Sequence, residues 1–130
     1  CTAANRFYVH AEVVDEFVTK FGDAVAALKV GPASDEASQI GPVISEKARA
    51  GIAALVDSAV ADGARVAVQG AVPDAGSFFP PTILVDVPMD ARILAEEIFG
   101  PVAPIVTWSD EAAMLDAVNG TEFGLAAYVY

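Results

Sequence analysis

The sequence predicts an α/β fold, because stretches with the spacing of amphipathic helices alternate with short runs rich in Val and Ile. The chain of 130 residues is 55% hydrophobic, with a mean hydropathy of +0.48. That composition supplies ample material for the core of one modest domain. No internal repeat or low-complexity tract interrupts it.

The first half of the chain predicts one strand and two helices. "RFYVH" is typical of a strand over 6–10, and a helix is expected over 11–29. Steps of three and four residues line one face of that helix with Val14, Phe17, Val18, Phe21, Val25 and Leu28. A second helix begins after Ser45, a plausible N-cap, and Gly63 ends it. The Gly, Pro, Ser and Asp content of 29–43 predicts a long exposed connection between the two helices.

The second half predicts four strands and one helix. "ARVAVQG" and "PPTILVDV" are short runs rich in Val and Ile, and "VAPIVTW" has the same character. "SDEAAMLDAVNG" reads as a capped helix that ends at Asn119 and Gly120. "LAAYVY", at 125–130, is expected to form a last strand.

Charge and cysteine content exclude several classes of partner. The chain has 18 acidic and 7 basic residues, a net charge of −11, so nucleic acid is not expected to bind. No apolar run approaches the ~20 residues of a membrane span, and no membrane partner is expected. Cys1 and His10 alone cannot supply the four ligands of a zinc site, so no metal is expected. A single cysteine forms no internal disulfide, which favours a cytoplasmic location.

Two places carry side chains suited to chemistry. The thiol of Cys1 needs a base, a cation or a helix N-terminus to ionise, and a helical turn over 2–5 would provide the last. His10 better suits a solvated or capping role than a partnership with that thiol. At 96–102, "EEIFGPV" puts a carboxylate and Phe99 on a turn that enters a strand, where they suit sugar hydroxyls and a flat heterocycle. The alternative there is an acidic pair that ends a helix, with a core phenylalanine.

Three stretches together resemble the aldehyde dehydrogenase superfamily. They are "CTAANRFYV" at 1–9, the turn, helix and strand unit at 40–70, and "FFPPTILVDVPMDARILAEEIFGPVAPIV" at 78–106. The motifs "EEIFGPVAP" and "GLAAYVY" most resemble those of the succinate-semialdehyde dehydrogenase branch of that superfamily. The resemblance implies a layered α/β/α catalytic domain, truncated at both ends. Residues 1–130 would be part of it, without the cofactor-binding and oligomerisation segments.

The resemblance also implies a reaction. Cys1 matches the nucleophile that attacks an aldehyde to form a thiohemiacetal; hydride then passes to NAD or NADP, and water cleaves the thioester. Glu97 matches the residue that binds the nicotinamide ribose, and Phe99 the ring that packs near the nicotinamide. Glu96 has no such role. The substrate is a small aldehyde, with succinate semialdehyde favoured, and the parent enzyme is expected to be a homodimer or homotetramer.

Other interpretations stay open at this point. The family's oxyanion asparagine, water-activating glutamate and dinucleotide-binding domain would precede Cys1, so residues 1–130 alone are expected to be inactive. If Cys1 were a mature N-terminus, its α-amino group could serve as the base of an N-terminal nucleophile hydrolase. A third possibility is a noncatalytic α/β scaffold in which the thiol is incidental. The arginines, Arg6, Arg49, Arg65 and Arg92, are expected to form surface ion pairs.

Overall fold

Four strands form one sheet in the computed structural model, which describes residues 3–130. The strands are β1 (Phe7–His10), β2 (Arg65–Gln69), β3 (Thr82–Val85) and β4 (Val102–Trp108), arranged in the order β1-β4-β3-β2. β4 lies parallel to both β1 and β3, and β2 lies antiparallel to β3. The mixed, mainly parallel sheet confirms the predicted α/β class.

Helices cover both faces of this sheet. They are α1 (Val14–Ala26), α2 (Glu46–Ala61), the short α3 (Arg92–Ala95) and α4 (Glu111–Asn119). Alternate side chains of β3 and β4 divide between two cores, since successive strand residues point to opposite faces. Ile83 and Ile105 pack with α1, whereas Leu84 and Val106 pack with α2 and α3. The architecture is therefore layered, with a helix layer on each side of the sheet.

The ends of α2 follow the sequence prediction closely. The hydroxyl of Ser45 accepts a hydrogen bond from the amide of Ala48 at 3.1 Å. At the other end Gly63 has a φ of +112°, a conformation that glycine adopts without steric cost. Its amide donates to the carbonyl of Val60, and the amide of Ala64 donates to that of Ala59. These two bonds form a Schellman motif, which fixes where the chain leaves the helix.

Several predicted boundaries were wrong. The first helix is shorter than 11–29, because a turn precedes it, in which the amide of Val13 donates to the carbonyl of His10 at 3.0 Å. At the other end Lys29 belongs to the loop, since its carbonyl accepts from the amides of Gln39 and Ile40. The helical turn expected over 2–5 does not form in its described part, 3–5, whereas Thr2 lies outside the described residues.

The strand expected at 125–130 is also wrong. Those six residues lie outside the four-stranded sheet, and all of them are exposed. Val and Tyr favour strands only where the backbone joins a ladder and one face becomes buried, so propensity alone did not suffice. Within residues 3–130, no helix has the length and apolar character needed to cross a membrane.

Candidate functional site

The segment between α3 and β4 presents the two side chains singled out from the sequence. Its backbone leaves α3 in an extended conformation at Glu96, with φ −112° and ψ 152°. Ile98 is 8% exposed and packs in the core beneath α2, whereas Glu97 is exposed and Phe99 is 70% exposed. The buried Ile98 thus anchors the segment, and its neighbours on either side face outward.

Close packing against α2 holds the turn that follows. A Cβ added at Gly100 would overlap the Cδ1 methyl of Ile52, which is itself 4% exposed. The carbonyl of the next residue, Pro101, accepts a hydrogen bond from the amide of Thr82 at 2.9 Å. Glycine therefore allows the turn to sit directly on the helix, and β3 fixes its far end.

The two adjacent glutamates differ in what they contact. The carboxylate of Glu96 accepts from Nε of Arg92 at 2.6 Å and from a terminal guanidinium nitrogen at 3.3 Å. The hydrogen bond from Arg92 lowers the pKa of Glu96 below its ordinary value, and the same bond raises the pKa of Arg92. Glu97 forms no hydrogen bond or ion pair with any residue of the described range, 3–130. A ligand therefore has access to the carboxylate of Glu97, while that of Glu96 is already engaged.

Parallel pairing brings the beginning of the chain to this segment. β1 and β4 are neighbours in register, with Phe7 opposite Ile105, so their amino ends lie at the same edge of the sheet. The described residues before β1, 3–6, therefore lie at the same edge of the sheet as the residues before β4. Cys1, the predicted nucleophile, lies outside the described residues.

The side chain of Asn5 joins the two segments directly. Its Nδ2 donates to the carbonyl of Glu96 at 2.9 Å, and its Oδ1 accepts from the amide of Ile98 at 2.7 Å. Sequence reasoning missed this residue. Its partners lie 91 and 93 residues away, and no periodicity or spacing in the sequence signals such a contact.

His10 has a local structural role. Its Nδ1 accepts a hydrogen bond from the amide of Glu12 at 3.3 Å, and its ring makes an edge contact with Trp108 at a centroid distance of 4.6 Å. Because Nδ1 accepts this hydrogen bond, the imidazole caps the turn that precedes α1. The capping role predicted from the sequence is confirmed.

Three of the four arginines form the expected surface ion pairs, whereas Arg6 forms none with residues 3–130. Its guanidinium donates to the carbonyls of Ala117 and Val118, both at 3.5 Å, near the C-terminus of α4. A cation at that end of a helix interacts favourably with the last carbonyl groups. The ion pairs are Arg49 with Glu46, Arg65 with Asp86, and Arg92 with Glu96.

One surface cavity is lined by neither Glu97 nor Phe99. It has a volume of about 360 Å³ and is lined by parts of β1, α3 and the end of α4, including Arg6, Tyr8 and Phe123. In the part of the chain that the structure describes, no group of three or more His, Cys, Asp or Glu side chains is placed to hold a metal ion. The candidate site is therefore an open surface at the entrance to β4.

The fold and this surface define a segment of an α/β enzyme. In it Glu97 and Phe99 face outward on either side of the buried Ile98, just before the central strand β4. The chain belongs to the aldehyde dehydrogenase family, whose sequence profile matches residues 1–130.

Individual relatives agree with that assignment. The chain is 52% identical to a succinate-semialdehyde dehydrogenase of Paenarthrobacter nicotinovorans, and 46% identical to a glutarate-semialdehyde dehydrogenase of Pseudomonas putida. Each alignment covers 100% of this chain, but only 29% and 27% of the respective relatives. A crystal structure of an NADP-dependent enzyme from E. coli matches with a TM-score of 0.94 and 46% identity, over 100% of this chain and 27% of that one.

Proposed function

We propose that residues 1–130 are the part of an NAD(P)-dependent aldehyde dehydrogenase catalytic domain that contributes the nucleophile Cys1 and the cofactor contacts Glu97 and Phe99. The family membership supports this assignment. The observation that carries it is the outward, exposed pair at 97 and 99, held in place by the buried Ile98. Because the chain spans less than a third of its relatives, the activity is assigned to a longer polypeptide that contains it.

The chemistry of the two outward side chains fits a nicotinamide nucleotide. A carboxylate only accepts hydrogen bonds, and the two hydroxyls of a ribose donate them, so Glu97 suits that sugar. Phe99 exposes most of its ring and suits the flat face of a nicotinamide. When bound, NAD or NADP supplies the ring that accepts hydride. Both proposed contacts are to the nicotinamide half, which NAD and NADP share, so both cofactors remain in the proposal.

Cys1 performs the covalent step in this proposal. Its thiolate adds to the carbonyl carbon of the aldehyde, and the oxygen of the resulting thiohemiacetal takes the negative charge. Loss of hydride from that carbon leaves a thioester on the cysteine sulfur. Water then cleaves the thioester, which releases the carboxylate product and regenerates the thiol. The resemblance implies that the backbone amide of Cys1 also stabilises the developing oxyanion.

The substrate proposed first is succinate semialdehyde, followed by glutarate semialdehyde. Relatives that carry those substrates in their names support the choice. Both are aldehydes with a carboxylate at the far end of a short apolar chain. Assembly as a homodimer or homotetramer and a cytoplasmic location remain part of the proposal; the single cysteine is consistent with a reducing compartment.

Replacement of Cys1 in the full-length polypeptide tests the proposal. Wild type should reduce NAD⁺ or NADP⁺ with either semialdehyde faster than with propanal, which lacks the far carboxylate. Cys1→Ala should abolish turnover, whereas its dissociation constant for the cofactor, measured by fluorescence titration, should stay within about twofold of wild type. Continued aldehyde-dependent reduction by Cys1→Ala, or an inactive wild type, would overturn the assignment.

A further inference from the structure

We propose that Asn5 is a positioning residue, which fixes the direction of the Glu97 side chain relative to the segment that begins at Cys1. This inference rests on the function proposed above. It starts from the two hydrogen bonds of the Asn5 amide, to the carbonyl of Glu96 at 2.9 Å and from the amide of Ile98 at 2.7 Å.

Both bonds involve the peptide groups of Glu97. The carbonyl of Glu96 belongs to the peptide bond that precedes residue 97, and the amide of Ile98 belongs to the one that follows it. Each peptide group is planar, so the backbone between them turns only about the φ and ψ of Glu97. A single side chain that holds both planes restricts both angles. Asn5 therefore sets the direction in which the carboxylate of Glu97 leaves the backbone.

An amide satisfies both partners at once. The carbonyl of Glu96 requires a donor, and the amide of Ile98 requires an acceptor. Asn offers one of each on a short side chain. Asp in the same position would bring a carboxylate oxygen against the carbonyl oxygen of Glu96, and Ala would offer neither group.

The frame that holds Asn5 is itself fixed. Arg6 donates to the carbonyls at the end of α4, and Phe7 begins β1, which pairs with β4 in parallel register. On the opposite side of the contact, Ile98 is buried in the core. Cys1 precedes Asn5 by four residues, a stretch of at most about 14 Å. The amide thus links the segment of the nucleophile to the segment of the ribose-binding carboxylate.

Removal of the amide should loosen Glu97 without removing it. Displacements of about 1 Å at a reacting centre can lower a rate by about 100-fold. In the full-length enzyme, Asn5→Ala should lower kcat/KM for the cofactor by about 10- to 100-fold. Ser77→Ala is the matched control, because its hydroxyl also donates to a backbone carbonyl distant in sequence, that of Val43, at 2.6 Å, and this bond does not involve the peptide groups of Glu97. It should change kcat/KM by less than about twofold.

A double-mutant cycle separates positioning from mere stabilisation. If Asn5 acts by placing Glu97, then Asn5→Ala should cost no more than about twofold in a Glu97→Ala background. A merely structural role would lower kcat/KM by the same factor in both backgrounds, and that result would overturn the inference. So would an Asn5→Ala enzyme with wild-type kcat/KM.

Two further readouts complete the experiment. Should Asn5→Ala fail to fold, Asn5→Asp preserves the size of the side chain and should show the same loss and the same coupling to Glu97. An Asn5→Asp enzyme with wild-type kcat/KM would overturn the inference. If wild type itself shows no aldehyde-dependent reduction of NAD(P)⁺, the proposed function fails and this inference with it. Failure of the Asn5 inference alone leaves wild type active.

Discussion

Glu97→Gln tests whether the free carboxylate, as distinct from its neighbour, contacts the cofactor. The substitution preserves the length of the side chain and one acceptor oxygen, but it removes the charge. Glu97 has no hydrogen-bond or ion-pair partner among residues 3–130, so the loss of charge breaks no contact within that part of the chain. An effect on turnover would therefore report an interaction outside residues 3–130, which the proposed function assigns to the cofactor.

The expected magnitude follows from the difference between charged and neutral hydrogen bonds. A hydrogen bond to a charged group contributes about 1.5–3 kcal/mol, and a neutral one about 1 kcal/mol. The glutamine should therefore cost about 0.5–2 kcal/mol. At 1.4 kcal/mol for each factor of ten, this predicts a loss of about 2- to 30-fold in kcat/KM for NAD(P)⁺.

Steady-state kinetics with varied cofactor and saturating semialdehyde measure this loss in the full-length enzyme. Glu96→Gln is the natural comparison, because that carboxylate is engaged by Arg92 and its main-chain carbonyl is retained on substitution. It should change kcat/KM by less than about twofold. The thermal midpoint of Glu97→Gln should stay within about 2 °C of wild type, since the residue is exposed. Unchanged kinetics in Glu97→Gln, or an equal loss in Glu96→Gln, would refute the reasoning.

Three further predictions concern the frame around the site. Gly100→Ala should destabilise the full-length protein by about 1–3 kcal/mol in thermal unfolding, since its Cβ overlaps Ile52. The loss should be smaller in an Ile52→Val background, because that substitution removes the Cδ1 methyl. Equal losses in the wild-type and Ile52→Val backgrounds would contradict the overlap. Ser45→Ala should cost about 1 kcal/mol, and Ser45→Asp, which also caps, should cost much less. Arg92 lowers the pKa of Glu96, so the pair stabilises the protein above the ordinary carboxyl pKa and loses that effect as pH falls through the lowered value. Arg92→Ala should raise the pKa of Glu96 in a carboxyl NMR titration, and an unchanged value would speak against the ion pair.

Local signals in the sequence predicted the elements that depend on local physics. The N-cap Ser45 and the glycine at 63 located both ends of α2, because a cap is a contact between residues three to five apart. The runs that became β3 and β4 were visible because buried parallel strands are nearly continuous in Val, Ile and Leu. The sequence offered the short α3 only through the alternative of an acidic pair that ends a helix, since four residues between Pro and that pair carry no periodicity.

The candidate site was likewise predictable from the sequence only where it depends on neighbouring residues. Glu97 and Phe99 were visible in the sequence because a carboxylate and a ring beside a Gly-Pro turn form a compact local pattern, although their roles came from the resemblance. Which of the two glutamates is free was not predictable from the residues, because it depends on whether α3 brings Arg92 within reach of Glu96. The role of Asn5 was hidden for a similar reason, since it depends on the order of strands in the sheet.

Strand order is the physical reason that Asn5 meets the segment before β4. β1 begins near the start of the sequence and β4 about a hundred residues later, yet the sheet places them side by side and parallel. In a parallel pair the segments that precede both strands lie at one edge, whereas an antiparallel pair would have separated them by the length of the strands. The proposed function relies on this arrangement, since the nucleophile it assigns precedes β1 in the sequence and the carboxylate it assigns to the cofactor precedes β4. Asn5 bonds across this edge, which is why we expect its removal to affect Glu97 before it affects the fold.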